Sequence, residues 1–420
     1  MIYNFKKQCI DVIMLLMLIL STGGLLFVFN RNIASALFLF FILFVLIIME
    51  GKWKKNITNT IVATFFTLII LASINYYFSI TDQSLNKYLF HLLVSTLSIL
   101  LLFHFKNNRS NEQLIRSLYV SLGLILIHSV FNYIAYFFLK SHLTIITSEY
   151  HECETFMNIF FYDTYKGTTE LYGLEFCRNQ GLFWEPGILQ IFLNMFFFIE
   201  AFIIKRRRSL LLLTALVILT TYSTTGLALL LIQSTVYVFN EFKTKKWLIS
   251  FVLALYIPVY MIFSVNVVEK IKGDREASFQ KRYFDLVQPF FIALENPLTG
   301  IGLDAEKFQN MRQDFYISSS SLRVLQESTG LESKVKGTDK GSSNSIMFLF
   351  AAMGFPTSLL LLYMFFKQQI INKKKWLWML IMVFSVMSEP LLLRPFFFLF
   401  IVSGFINIYY KIISHKKQIV

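Results

Sequence analysis

Residues 205–246 read KRRRSLLLLTALVILTTYSTTGLALLLIQSTVYVFNEFKTKK. Lys205-Arg206-Arg207-Arg208 open the stretch and Lys243, Lys245 and Lys246 close it. Apolar residues fill the space between, except at Thr220-Thr221-Tyr222-Ser223-Thr224-Thr225-Gly226. Lys and Arg beside a membrane span stay cytoplasmic, so both flanks belong on one side of a bilayer. An even number of crossings follows. The stretch is expected to be a helical hairpin with its polar tip on the far side.

The same pattern runs outward in both directions. Short basic connectors occur at Lys6-Lys7, Lys52–Lys55, Lys106–Arg116, Lys367–Lys375 and Lys411–Lys417. With the two already quoted they hold 22 of the 39 Lys and Arg residues, and only Glu50, Glu112 and Glu241 lie in or beside them. These are the expected inner loops. A span needs about 20 apolar residues. The expected segments are 9–29, 33–49, 57–78, 88–105, 117–139, 187–204, 209–221, 226–239, 248–267, 346–366, 376–388 and 395–410. The last pair repeats the hairpin argument, broken by Ser388-Glu389-Pro390 and Arg394-Pro395.

The expected fold is therefore an all-α polytopic integral membrane protein. It has about twelve transmembrane helices, both ends cytoplasmic, and two long outer loops. The expected division is 1–139, a five-span bundle; 140–186, the first long outer loop; 187–267, spans six to nine; 268–345, the large outer loop; and 346–420, a three-span bundle. The chain is 56% hydrophobic with 47 Phe, more apolar surface than a soluble domain hides. Its net charge of +14 would suit nucleic acid, but the inner loops account for it, and no nucleic-acid partner is expected. Cys153 and Cys177 both fall in the first outer loop, as a disulfide or as two thiols. No CxxC occurs, and the six His show no metal-ligand spacing, so no cofactor is expected.

Chemistry is sought in the outer loops. Arg178-Asn179-Gln180-Gly181-Leu182-Phe183-Trp184-Glu185-Pro186 leads into the sixth span. Arg178 offers a planar fork of donors suited to phosphate. The same residues have a plainer reading: Pro suits the first helical turn, a carboxylate suits the positive helix end, and Phe183-Trp184 anchor the interface. The second loop carries Lys270, Lys272, Arg275, Lys281 and Arg282, then the apolar-rich Tyr283–Glu295, expected to be an amphipathic helix at the membrane surface. Asn296-Pro297-Leu298-Thr299-Gly300-Ile301-Gly302 is a tight turn, and Gly341-Ser342-Ser343-Asn344-Ser345 closes the loop. Glu389 and Arg394 flank the last hairpin tip, where they either pair or line a cavity. Asp11 and Glu200 are expected to reach water at inner span ends.

Four of these elements, in order, resemble the O-antigen polymerase and O-antigen ligase superfamily of bacterial envelope proteins. They are Arg178-x-x-Gly181-x-Phe183-x-Glu185-Pro186, then Ser223-Thr224-Thr225-Gly226, then Arg282 with Asn296–Gly302, then Asn344 ahead of a span carrying Gly354. The resemblance covers about residues 170–405. It implies a metal-independent, inverting glycosyl transfer between undecaprenyl-pyrophosphate-linked oligosaccharides at the periplasmic face of the bacterial inner membrane, with a chain-length regulator protein as a further partner. Arg178 and Arg282 would then hold the diphosphate leaving group and Glu185 would take the acceptor proton, making these three the expected catalytic residues. Arg275, Asn344, Ser223 and Arg394 are the expected substrate-binding residues. Two departures stand out. Thr224 occupies the place where relatives carry Arg after Ser, and Ser343 stands where ligases carry His, which favours the polymerase over the ligase.

Overall fold

The computed structural model describes residues 2–148, 151–164, 168–171, 174–241, 276–318 and 342–416, with single positions at 257, 260 and 264. The chain packs as two compact units, each of three segments: Met1–Phe38, Glu112–Glu269 and Ile371–Ser385 in the first, Leu39–Asn111, Lys270–Ile370 and Val386–Val420 in the second.

Helices occupy eleven of the twelve expected segments; of the other, 248–267, only positions 257, 260 and 264 are described, and Arg275 and 319–340 lie outside the described residues. In chain order they are α1 (Ile2–Gly23), α2 (Leu25–Phe29), α3 (Arg31–Phe44), α4 (Lys55–Phe78), α5 (Leu85–Asn108), α6 (Asn111–Leu139), α7 (Pro186–Phe198), α8 (Arg208–Thr220), α9 (Thr224–Glu241), α10 (Glu276–Glu295), α11 (Ala305–Ser318), α12 (Ser345–Phe366), α13 (Lys375–Ser388) and α14 (Pro395–Lys416). Wider turns prolong α3 to Glu50 and α7 to Ile204. Among the described residues seven helical segments are long and apolar enough to cross a membrane: Arg31–Glu50, Lys55–Phe78, Leu85–Asn108, Asn111–His142, Pro186–Ile204, Ser345–Phe366 and Pro395–Ile413. Arg208–Thr220 and Lys375–Ser388 are apolar but shorter. This is a largely helical, multi-spanning membrane architecture.

It is not purely helical. Residues 144–177 form five short strands, a correction to the all-α expectation. β1 (Thr144–Thr147), β2 (Glu152–Phe156) and β3 (Phe160–Tyr162) make an antiparallel sheet in that order. β4 (Thr168–Leu171) and β5 (Leu174–Cys177) pair antiparallel. The cause is local: Thr, Ile, Phe and Tyr dominate these segments, and such side chains favour the pleated strand. Met157 and Asn158, at φ 52° and 57°, turn β2 into β3. Cys153 and Cys177 are buried thiols with no disulfide between them.

In the first unit α7 packs against α8 and α9. A ladder of fully buried amides joins α7 to α9. Gln190 Nε2 donates to the Gly187 carbonyl at 2.9 Å, Asn194 Nδ2 donates to Gln190 Oε1 at 3.0 Å, and Gln233 Nε2 donates to Asn194 Oδ1 at 2.8 Å. In hydrocarbon such bonds contribute about 1 kcal/mol each. Gly226 lets the helices close, since a Cβ there would sit 2.9 Å from Gln190 Cβ. Glu200 corrects the expectation that it reaches water. It is fully buried and accepts from Tyr119 Oη at 2.7 Å and from the amides of Arg206 at 2.7 Å and Arg207 at 2.5 Å. Its carboxylate thus ties the end of α7 to the turn that leads into α8, taking up amides that precede the first turn of that helix. Asp11 is buried as well.

In the second unit α14 packs on α4, α5 and α12, and α10 packs on α12. α12 breaks at Gly354, where φ is 69°, and Pro356 follows. The break releases the carbonyls of Ala351 and Ala352. The Asn296–Gly302 turn takes them up: the amides of Ile301 and Gly302 donate to Ala351 and Ala352, each at 2.9 Å, and Phe355 donates back to Pro297 at 2.8 Å. Asn75 Nδ2 adds bonds to the carbonyls of Thr299 at 2.6 Å and Ala352 at 2.9 Å. Backbone freed inside a membrane helix must find such partners, because lipid supplies none.

Candidate functional site

In the first unit the structure brings together the first two of the four sequence elements. Arg178 leaves β5 and donates from Nε to the Thr221 carbonyl at 3.0 Å. Thr221 ends α8, and Tyr222 with φ 48° turns the chain toward α9. Asn179 fixes the same junction. Its amide donates to the Thr220 carbonyl at 3.0 Å, and its Nδ2 donates to the Ser129 carbonyl of α6 at 2.9 Å and to Thr220 Oγ1 at 3.1 Å. Its Oδ1 accepts from the Gly181 amide at 3.2 Å. Gly181 has φ 56°, and a Cβ there would lie 2.9 Å from Ser129 Oγ, so this turn requires glycine. Arg178 is thereby held half-buried with one guanidinium edge tied to the hairpin tip. Anchoring one edge sets the plane of the whole group.

Ser223 is buried at the start of α9 and accepts the Gly226 amide at 3.4 Å, a helix-capping contact. Glu185 sits in extended conformation at the start of α7, with Pro186 in the first turn. It makes no capping bond there; instead Oε1 accepts from Trp184 Nε1 at 3.1 Å. The carboxylate is half-buried at the start of α7.

Gln180 is a residue that motif reasoning passed over. It is fully buried between Asn179 and Gly181, and neither end of its amide has a hydrogen-bond partner among the described residues. A buried amide left so is costly, about 1–3 kcal/mol per unmet group. The sequence signal was only its place in the Arg178–Pro186 run.

The second unit brings together the other two elements. The Asn296–Gly302 turn docks at the Gly354 break, and Asn344 leads the same helix. Asn344 caps it, its Oδ1 accepting the Met347 amide at 3.1 Å. Ser345 Oγ donates to the Glu389 carbonyl at 2.6 Å and accepts the Leu391 amide at 2.8 Å. This pins the turn that carries Arg394. Burial pushes the Arg394 guanidinium down to about 10, still protonated at neutral pH.

Arg282 lies exposed on α10, one turn before exposed Leu286, Phe290 and Leu294. Such a stripe, apolar with a basic end, fits the expected interfacial helix. The inward face of α10 carries what the sequence did not flag. Asp285 is fully buried and pairs with Arg312 of α11 at 3.0 Å. Its other oxygen accepts the Ser343 amide at 2.9 Å and hydroxyl at 2.6 Å. Arg312 Nε donates to Gln288 Oε1 at 2.8 Å, and its guanidinium lies 5.5 Å from the centre of the Phe308 ring. Burial pulls the Arg312 guanidinium below its ordinary range, and Asp285 counters that.

Among the described residues no group of three His, Cys, Asp or Glu side chains is placed to hold a metal ion. Of the seven residues expected from sequence, Arg178 and Ser223 meet at one hairpin tip, with Glu185 at the end of the same loop. Asn344 and Arg394 flank a common turn in the other unit. Arg275 lies outside the described residues. No protein-family model matches this chain, and no curated protein sequence matches it.

Proposed function

We propose that this protein is a surface-polysaccharide (O-antigen) polymerase of the bacterial inner membrane, with twelve spans, cytoplasmic ends and a periplasmic active site. The reading rests first on the basic connectors, which assign the sides, and on the order of the four sequence elements. The single observation that carries it further is the anchoring of Arg178 to Thr221, because it joins two of those elements around a fixed cation.

The reaction moves a growing glycan from its undecaprenyl pyrophosphate onto a hydroxyl of an incoming lipid-linked repeat unit. The acceptor oxygen bonds to the anomeric carbon from the face opposite the leaving diphosphate, and the configuration inverts. Glu185 takes the acceptor proton as that bond forms. Negative charge grows on the departing diphosphate, and Arg178 stabilises it there; Arg282 is the proposed catalytic cation of the second unit. Ser223, Asn344 and Arg394 are the proposed substrate-binding residues; Ser223 and Asn344 also accept backbone amides at the starts of their helices.

The test is the polysaccharide profile of cells carrying Arg178→Ala, with membrane insertion checked by immunoblot. A polymerase defect leaves single repeat units on the surface lipid. Full-length chains would end the proposal, and complete absence of repeats would turn it to the ligase. Lengthening of lipid-linked repeats by purified protein in detergent separates both from a lipid-oligosaccharide flippase, which cannot act without compartments.

A further inference from the structure

The β2–β3 hairpin lies along α6 in three successive steps, one helical turn apart. His128 Nε2 donates to the Ile159 carbonyl at 2.9 Å. Asn132 Oδ1 accepts the Phe161 amide at 3.0 Å. The rings of Tyr136 and Tyr162 pack with centres 5.1 Å apart, tilted by 49°. Going down α6 from Tyr136 to His128 therefore means going down β3 toward the hairpin tip, and Met157 and Asn158 lie beyond the last contact.

The depth of that tip follows from charge. On α6 the last charge near its start is Arg116, which is exposed, and the next is Lys140 just past its end. At about 1.5 Å per residue they are about 36 Å apart. A hydrocarbon layer of about 30 Å fits this interval with little room to slide. His128 is twelve residues from each charge, hence at the middle of the layer. Apolar side chains of α6 are exposed on both sides of that level, at Leu124 and Ile127 and at Phe131 and Ile134.

The hairpin's own sequence agrees independently. Glu152, Glu154 and Asp163 all lie at the Lys140 end, with Glu154 opposite Tyr162. From Thr155 to Tyr162 no residue is charged. At the tip Met157 is 75% exposed and Ile159 is 52% exposed. Backbone at this depth needs partners. Asn132 and His128 supply them along β3, and Thr155 Oγ1 donates to the Phe160 carbonyl at 2.8 Å.

We infer that residues 152–162 form a re-entrant β-finger, dipping to mid-membrane along α6 and presenting Met157 and Ile159 to the acyl chains of the bilayer. The occupant of this surface is lipid hydrocarbon. The inference needs α6 to span the membrane and nothing of the glycosyl chemistry.

Met157→Cys in a Cys9→Ser background, labelled with an environment-sensitive fluorophore and reconstituted in phosphatidylcholine vesicles, tests it. Ile159→Cys is the second tip position, and Glu152→Cys reports the opposite end of β2. The expected result is blue-shifted emission at 157 and 159, quenched by lipids bearing a nitroxide at mid-chain and not by aqueous iodide, with the reverse at 152. Quenching of the tip by iodide to the same degree as 152 overturns the inference. Resistance to both quenchers also overturns it, because the tip would then be covered by protein. Quenching that appears only with a nitroxide-labelled polyprenyl phosphate would assign the surface to a carrier lipid and overturn the assignment to bulk lipid.

Discussion

Gly354 and Leu298 pass so closely that a Cβ on the glycine would collide with the Leu298 carbonyl. The glycine also holds φ 69°, which a side chain rarely adopts. Gly354→Ala therefore carries both backbone strain and a clash, together about 2–4 kcal/mol. The expected outcome is a lower thermal midpoint in detergent and loss of the Asn296–Gly302 docking, seen as faster proteolysis within that turn. Wild-type midpoint and cleavage would contradict the packing.

Asp285 and Arg312 give a sharper test because the pair is buried. Removing one partner strands the other charge, and Asp285→Asn or Arg312→Met alone should destabilise by about 3–5 kcal/mol. The double variant Asp285→Leu/Arg312→Met should recover a large part of that loss. The Ser343 bonds would still be missing, so recovery stays incomplete. Additive losses in the thermal unfolding of the three variants would show that the two residues do not act as a pair.

Gln180 separates a structural amide from one that meets substrate. With no hydrogen-bond partner among the described residues, its replacement by Leu should leave the thermal midpoint unchanged or raise it. Chain growth in cells should fall all the same if the amide serves the proposed reaction. A stable Gln180→Leu variant with full-length polysaccharide would remove Gln180 from the site.

Cys153 and Cys177 make a prediction about pH. Burial pushes both thiols up to about 12, with Asp163 adding to the shift. Only the thiolate reacts, so at pH 8 about one thiol in ten thousand is competent. Alkylation of the folded protein should therefore be slow, rise about tenfold per pH unit while the fold holds, and become complete on denaturation. Reduction should leave the intact mass unchanged. A gain of two protons on reduction would mean a disulfide.

The helices were legible in the sequence because two strong signals coincide, apolar length and basic flanks. At Lys205–Lys246 even the hairpin tip falls within a residue or two. The strands of 144–177 were not legible for a physical reason. Runs of three to five residues leave little periodicity, and the contacts that hold β3 on α6, through Asn132 and Tyr136, are distant in sequence. The candidate site was half visible. Arg178 and Glu185 stood out by charge beside a helix start. Asp285 and Arg312 did not, because a polar loop full of charges hides the two that turn inward. Gln180 carries no charge at all, and its burial is a property of the fold alone.

The buried amides of Gln190, Asn194 and Gln233 have one more implication, for motion. Sliding α7 past α9 by a single residue would strand donors and acceptors in an oily layer that cannot satisfy them. That seam behaves as a weld. Any breathing of the first unit must hinge somewhere else, carrying these two helices along as one rod.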